Sequence, residues 1–487
     1  MKRYFPFLDW MFPYNKSHLR GDITAGLTVG VMLIPQGMAY AMLAGLPPIY
    51  GLYASTIPLI IYALMGTSPQ LAVGPVAMVA LLVSSGVGAI AEIGTTEFVA
   101  LAILLALMVG LIQFLMGVFR LGFLVNFLSH PVIAGFTSAA AIIIGFSQLK
   151  HLLGIHLQKG KVHQLVIQVA ERFGETNVPT LILGLSGIVL LLAIKRWAKK
   201  IPGPLILVLF SIGLVYLLDL KSAGVKIVGE VPGGLPQLII PSFKGDNFIA
   251  LLPVALTIAF VGFMESIAVA KAIQRKHSDY KLSPNQELIA LGAANIFGSI
   301  FQSFPVTGGF SRTAVNDQSG AKSGLASLIS AALIILTLLF LTDYFYYLPK
   351  AVLASIIMVA VFGLIDIKEA KHLWKSDRTD FLLFMATAGG TLFLGIEEGI
   401  AIGVLLSMVM MIYRVSNPHT AILGKVPDFP IYRNITRFDD LVLPANKLIM
   451  RIDSSLYFAN IGTIRDRIHR GLETIPEIEQ VVLDLSA

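Results

Sequence analysis

Apolar residues in this chain gather into long continuous runs instead of alternating or marking one helical face. Runs lie near residues 23–44, 49–65, 97–119, 124–149, 180–198, 202–219, 248–271, 285–303, 323–342, 349–366, 379–394 and 396–414, near the roughly 20 residues that a helix needs to cross a bilayer. Two shorter segments, near 75–91 and 311–320, follow Gly/Pro-rich stretches and begin abruptly, as Val73-Gly-Pro-Val-Ala77 and Gly308-Gly-Phe-Ser-Arg312. Twelve full runs and two short ones predict an all-α polytopic membrane protein of fourteen segments.

The runs repeat. Setting residue 27 over residue 256 lays Gln36 opposite Glu265 and Ala39 opposite Ala268. A six-residue adjustment then sets Gly74 opposite Gly309, and Pro131 and Pro349 each open a later segment. Each half, about 23–219 and about 248–416, holds seven segments. Because seven is odd, the second copy enters the membrane from the opposite face, an inverted repeat of the kind that builds many secondary transporters. Fourteen crossings bring both termini to one side.

Composition narrows the class. Of 487 residues only 13% are charged and 56% are apolar, which argues against a soluble enzyme and excludes disorder, collagen and coiled coil. Without cysteine there is no disulfide framework, thiolate nucleophile or Cys-ligated metal. The first 22 residues lack the short apolar core of a cleaved signal peptide and form an N-terminal segment before the first run. The 36 Lys+Arg against 29 Asp+Glu read as cytoplasmic loop charge, not as a nucleic-acid surface. Lys2, Arg3, Lys16, Arg20, Arg120, Lys195, Arg196, Lys199, Lys200, Lys271, Arg275, Lys276 and Lys281 fall on one side. Glu92, Glu97, Glu397 and Glu398 fall on the other, the contrast weakened by Lys150, Lys159 and Lys161. Both termini are therefore expected in the cytoplasm, with the protein in the inner (plasma) membrane.

The two interrupted segments locate the chemistry. Irregular backbone at membrane depth survives only inside protein or beside a water-filled cavity, so the connections Gly66–Gly74 and Ser303–Gly309 imply a central site. If each runs halfway across, two half-helix N-termini face one another at the midplane, and their free N–H groups favour an anion. Arg312 falls in the first turn of the second half-helix beside Ser311 and Thr313, whose hydroxyls can donate to an oxyanion. An intramembrane arginine serves a ligand, a pathway or a partner. Ligand attraction and a purely structural pairing with Glu265 both remain open. Glu265 lies well inside its run and is placed to carry a proton or a sodium ion, or to bond locally. Gln36 and Tyr40 share one helical face, and Pro35 loosens the helix beside them.

Other features lean structural. Gly26 and Gly30, and the run Gly395, Gly399, Gly403, form small faces for close helix packing. The spacing of His151, His156 and His163 fits no zinc motif, and no nucleotide-binding or nucleophilic motif is readable. No metal, cofactor or enzyme activity is expected.

The stretch Gly30-Val-Met-Leu-Ile-Pro-Gln-Gly-Met-Ala-Tyr-Ala-Met-Leu-Ala-Gly-Leu-Pro-Pro-Ile-Tyr-Gly-Leu-Tyr53 resembles the signature of the sulfate permease (SulP) family of anion transporters. Val73-Gly-Pro-Val-Ala77, Gly262-Phe-Met-Glu-Ser266 and Phe310-Ser-Arg-Thr313 resemble further landmarks of that family. The resemblance implies a core and a gate domain, an elevator-like motion, frequent dimers, and an anion held between the third and tenth segments. It implies binding positions at Gln36, Tyr40, Val76, Ala77, Ser311 and Arg312, with H⁺ or Na⁺ coupling at Glu265. Sulfate, bicarbonate, chloride and dicarboxylates all fit. Nucleobase permeases share the fold but usually carry a second carboxylate where Ser311-Arg312 stands. The family commonly ends in a cytoplasmic STAS domain, and residues 444–487, after a linker at 417–443, resemble its opening; stopping at Ala487 implies a shortened form. The expected function is a cation-coupled secondary anion transporter; the rivals are a passive anion channel, an exchanger or a voltage-responsive motor on the same fold.

Overall fold

Two units make up the chain, Met1–Gly403 and Val404–Ala487, each packed mainly within itself. The structure, a computed structural model, describes residues 6–123, 129–158, 162–198, 202–241, 245–277, 280–438, 440–444, 446–474 and 478–485. Lys2, Arg3, Lys159, Lys161, Lys199, Lys200 and the Glu397 side chain lie outside them.

The chain opens with α1 (Phe7–Met11) and α2 (Leu19–Ala44), then α3 (Ile49–Tyr53) and α4 (Ile57–Met65), two pieces of one expected run. A two-residue strand β1 (Val73–Gly74) leads into the short α5 (Ala77–Gly88), followed by α6 (Thr96–Val118), α7 (His130–Leu153), α8 (Val162–Glu171), α9 (Val178–Trp197) and α10 (Gly203–Leu217). The second half holds α11 (Gly245–Gln274), α12 (Pro284–Ile300), strand β2 (Thr307–Gly308) and the short α13 (Phe310–Gln318). It continues with α14 (Leu325–Phe340), α15 (Lys350–Phe362), α16 (Ile367–Ser376), α17 (Arg378–Phe393) and α18 (Ile396–Ser416).

Local chemistry sets the ends of these helices. Gly45, at φ +85°, closes α2 in the left-handed conformation and returns its N–H to Ala41 and Met42. Thr95 and Asn177 cap α6 and α9 by accepting from Phe98 N and Thr180 N. Pro35 does not break α2, which is continuous from Leu19 to Ala44.

Seven helices among the described residues are long and apolar enough to cross a membrane, with four shorter apolar ones, where the sequence suggests twelve full runs. Several runs are shortened by breaks: 49–65 divides at Ala54–Thr56, and 202–219 and 323–342 yield helices of 15 and 16 residues. Large apolar side chains such as Ile182, Val189, Phe210 and Leu336 stay exposed, an outer surface suited to lipid. The fold is helical, polytopic and built for a bilayer, with a small mixed sheet at the C-terminus.

Small residues set the closest helix approaches. A Cβ on Gly26 would lie 2.6 Å from the Ala326 carbonyl oxygen of α14, and Ser330 Oγ donates to Gly26 O at 2.7 Å. Gly399 and Gly403 on α18 lie against Thr391 and Thr387 of α17. Replacing Gly26 by leucine should therefore force α2 and α14 apart at a cost of about 1–3 kcal/mol. A thermal melt of the purified protein should shift clearly downward; an unchanged midpoint would refute this packing account.

In the C-terminal unit, β3 (Thr420–Lys425), β4 (Tyr432–Asn434), β5 (Lys447–Ile452) and β6 (Gln480–Asp484) form a sheet in the order β4-β3-β5-β6, antiparallel except for β5–β6. Helix α19 (Ile461–Thr474) packs Ile464 on Leu448, Met450 and Ile452. The stretch 417–443, expected as a linker, contributes β3 and β4. Runs of six and three residues can pair with a neighbouring strand but are too short to stand out in the sequence.

Candidate functional site

The all-α expectation fails at one place in the membrane unit. The two Gly/Pro-rich connections meet edge to edge, and β1 pairs antiparallel with β2, Val73 opposite Gly308 and Gly74 opposite Thr307. Backbone groups with no helix to satisfy them pair instead with the other connection. Gly309 N extends the pairing to Ala72 O at 3.0 Å. From this ladder α5 and α13 begin within three residues, so their N-termini are neighbours.

Neither N-terminus has a side-chain cap. Val76 and Gly309 occupy the cap positions in extended conformation, and the first hydrogen bonds inside each helix are Ala80 N to Val76 O and Thr313 N to Gly309 O. The amides of Ala77, Met78 and Val79, and of Phe310, Ser311 and Arg312, precede those bonds and have no helical acceptor. Val76 and Ala77 are buried, whereas Ser311 is exposed on the first turn of α13.

Arg312 is 2% exposed and reaches back across the ladder: Nη1 donates to Pro75 O at 2.7 Å. Its guanidinium lies over Gly309, where a Cβ would come 2.8 Å from Nη2 and push the guanidinium aside. Nε and Nη2 are buried without an acceptor, and Glu265 Oε2 is buried without a donor. Arg312 therefore makes one interhalf bond, with no ion pair to Glu265, and keeps two donors for something else. Tyr40, Glu265 and Arg312 are close enough for their fields to act on one another. Gln36, buried one turn before Tyr40, has no hydrogen bond among the described residues.

Thr313, expected from the sequence beside the ligand, is engaged within the protein in this structure. Its hydroxyl donates to Gly309 O at 2.7 Å and accepts from Ala72 N at 3.0 Å, so its only proton is committed. It ties the connections and cannot donate to a ligand.

A polar scaffold that the sequence pattern does not single out holds the ladder. Thr307 Oγ donates to Gly262 O, Ser266 Oγ lies 2.6 Å from Thr307 Oγ, and Gly308 N donates to Ser266 Oγ at 2.8 Å. Asn295 accepts from Val306 N at 2.8 Å and donates to Val306 O and Gln113 Oε1, each at 3.1 Å. Asn316 donates to Gln70 O at 2.9 Å. Fully buried Glu287 accepts from Tyr62 Oη, Thr67 N and Thr67 Oγ at 2.6–2.7 Å, pinning the start of the first connection. Asp22 does the same beyond α13, accepting from Lys322 N, Ser323 N and Ser323 Oγ. For Gln113 and Asn295 a signal exists in the sequence: a lone amide inside an apolar run is costly without a partner. Among the described residues no cluster of His, Asp and Glu could hold a metal.

The profile described as the sulfate permease family matches residues 19–387. The chain is 43% identical over 504 residues to sulfate transporter 4.1, chloroplastic, of Arabidopsis thaliana, covering 99% of this chain and 73% of that protein. It is 37% identical over 507 residues to high affinity sulfate transporter 1 of Stylosanthes hamata, covering 99% and 76%. The inward-facing structure of the murine Solute Carrier 26 family member A9 anion transporter superposes with a TM-score of 0.89 at 28% identity, covering 99% of this chain and 83% of that one. The transmembrane domain of a cyanobacterium bicarbonate transporter, BicA, shares the fold, with a TM-score of 0.69 at 24% identity over 81% of this chain and 97% of that one. The expected family is the one found, and it is a family of transporters and not of enzymes: this multi-pass membrane chain belongs to the sulfate permease family.

Proposed function

We propose that the chain is a secondary active transporter of inorganic or small organic anions, sulfate first among them, working by elevator-like alternating access. The observation that carries this is Arg312, with two buried donors lacking acceptors between two uncapped helix N-termini. A tetrahedral oxyanion supplies what those donors lack. Gln36, Tyr40, Val76, Ala77 and Ser311 complete the walls, and the likeness to plant sulfate transporters favours sulfate over bicarbonate, chloride or a dicarboxylate.

Helix order supports a seven-plus-seven inverted repeat. The α3/α4 pair counts as one segment, amphipathic α8 and α16 each interrupt a half between its fifth and sixth segments, and α5 and α13 are the third and tenth. Close packing groups α2, α4, α6, α12 and α14 on one hand and α7, α9, α15 and α17 on the other, which we read as core and gate. Glu265 supplies the coupling. A negative carboxylate near Arg312 opposes an arriving anion, so a proton or sodium ion on Glu265 favours anion binding, and by linkage the anion favours the cation. The working unit is a homodimer in the inner (plasma) membrane with both termini cytoplasmic.

Uptake of labelled sulfate and bicarbonate into proteoliposomes, with and without imposed proton or sodium gradients, tests this reading. Accumulation above the external concentration is the expected result. Simple dissipation that ignores every cation gradient would replace the transporter with a passive channel.

A further inference from the structure

Beside the first connection lies a cavity of about 630 Å³ that the transport reading does not use. It falls within the roughly 300–1,000 Å³ of small-molecule pockets. Asn15 and His18 line it, so it opens at the N-terminal end of α2. Trp10 forms one wall, Thr67 and Ser68 of the first connection another, Lys281 a third and Lys322 a fourth.

Its chemistry is that of an anion site. Asp9 lines the cavity and is already engaged in another contact, and the two buried carboxylates behind the walls are saturated: Glu287 by Tyr62 and Thr67, Asp22 by Ser323, the Lys322 backbone and Tyr14. Neither the Lys281 nor the Lys322 ammonium has an ion-pair partner among the described residues. Ser68, 4% exposed, lines the cavity with a buried hydroxyl that has no hydrogen-bond partner. Two free ammonium groups and an unsatisfied hydroxyl ask for an acceptor with several oxygens, and Trp10 offers a flat apolar surface beside them.

We propose that this cavity is a regulatory site for a phosphate ester carrying a planar or apolar group, with the phosphate between Lys281, Lys322 and the Ser68 hydroxyl. The occupant bridges the connection that feeds α5, the connection that leaves α13 and the N-terminal segment. It thereby fastens that segment to the part of the molecule that holds the transport site, and it slows turnover. A phospholipid headgroup and a soluble nucleotide share this chemistry.

The chain has three tryptophans, Trp10, Trp197 and Trp374. With Trp197→Phe and Trp374→Phe, Trp10 emission reports the cavity directly, independently of transport. Titrating the full chain in detergent with AMP should give a saturable change in emission, weaker with inorganic phosphate and absent with adenosine. Lys281→Ala with Lys322→Ala should raise the AMP Kd at least tenfold while leaving basal uptake unchanged. The same lysine-dependent change in nanodiscs containing phosphatidylglycerol, but not in phosphatidylcholine alone, with AMP silent, would assign the phosphate to lipid. AMP or phosphatidylglycerol, whichever binds, should slow uptake by the parent chain and not by the double lysine variant. A response to adenosine equal to that of AMP, a response that ignores both lysines, or no response to any probe would overturn the site. Because the readout is fluorescence, its failure would leave the transport reading standing, and failed transport would leave the cavity's occupancy measurable.

Discussion

Replacing Arg312 by alanine should weaken anion binding by about 10- to 100-fold, the equivalent of one or two charge-assisted hydrogen bonds lost from a site shielded from water. Nε and Nη2 are the donors at stake, since Nη1 is already held by Pro75 O. Arg312→Lys should recover part of the affinity, because it keeps the charge and loses the planar fork. Affinity measured by titration on the purified protein separates binding from turnover. If Arg312→Ala binds sulfate as tightly as the parent and merely melts earlier, the arginine is a strut between the connections and the anion sits elsewhere.

The second large effect concerns Glu265. Its carboxylate has a buried, unpartnered oxygen, and on the coupling proposed above it would exchange a cation as Arg312 exchanges an anion. Glu265→Gln keeps the shape and removes the exchangeable charge. It should abolish accumulation driven by a proton or sodium gradient while anion binding stays within a few-fold of the parent or tightens. Accumulation that persists in the variant would move coupling to another group.

Much of this site can be read from the sequence because its features break an otherwise uniform pattern. Val73-Gly-Pro-Val-Ala77 and Gly308-Gly-Phe-Ser-Arg312 stand out as abrupt starts, and Arg312 and Glu265 as charges in apolar surroundings. What stays hidden depends on partners distant in sequence. The β1–β2 ladder joins two-residue stretches more than two hundred positions apart, too short for any periodicity. Thr313 resembles a ligand-binding hydroxyl until Ala72 and Gly309 are seen to occupy it. In the sequence Arg312 stands between a ligand and Glu265, and the structure adds a third partner, the Pro75 carbonyl, for one of its nitrogens. Glu287 sits at the edge of an apolar run, where a charge makes little contrast, although three donors converge on it. The C-terminal strands β3 and β4 escape detection for a simpler reason, since runs of six and three residues offer little pattern.

The ladder between Val73–Gly74 and Thr307–Gly308 also bears on direction. Two half-helices sewn together along their leading edges cannot part without breaking those bonds, so in the elevator motion proposed above the cradle would travel as one piece. A rigid cradle offers a solute the same grip whichever compartment it faces. In the transport cycle proposed above, the direct contacts to the solute are then alike on both faces, and the imposed gradients set the direction of net movement. Reversing the imposed gradients should simply run it backwards.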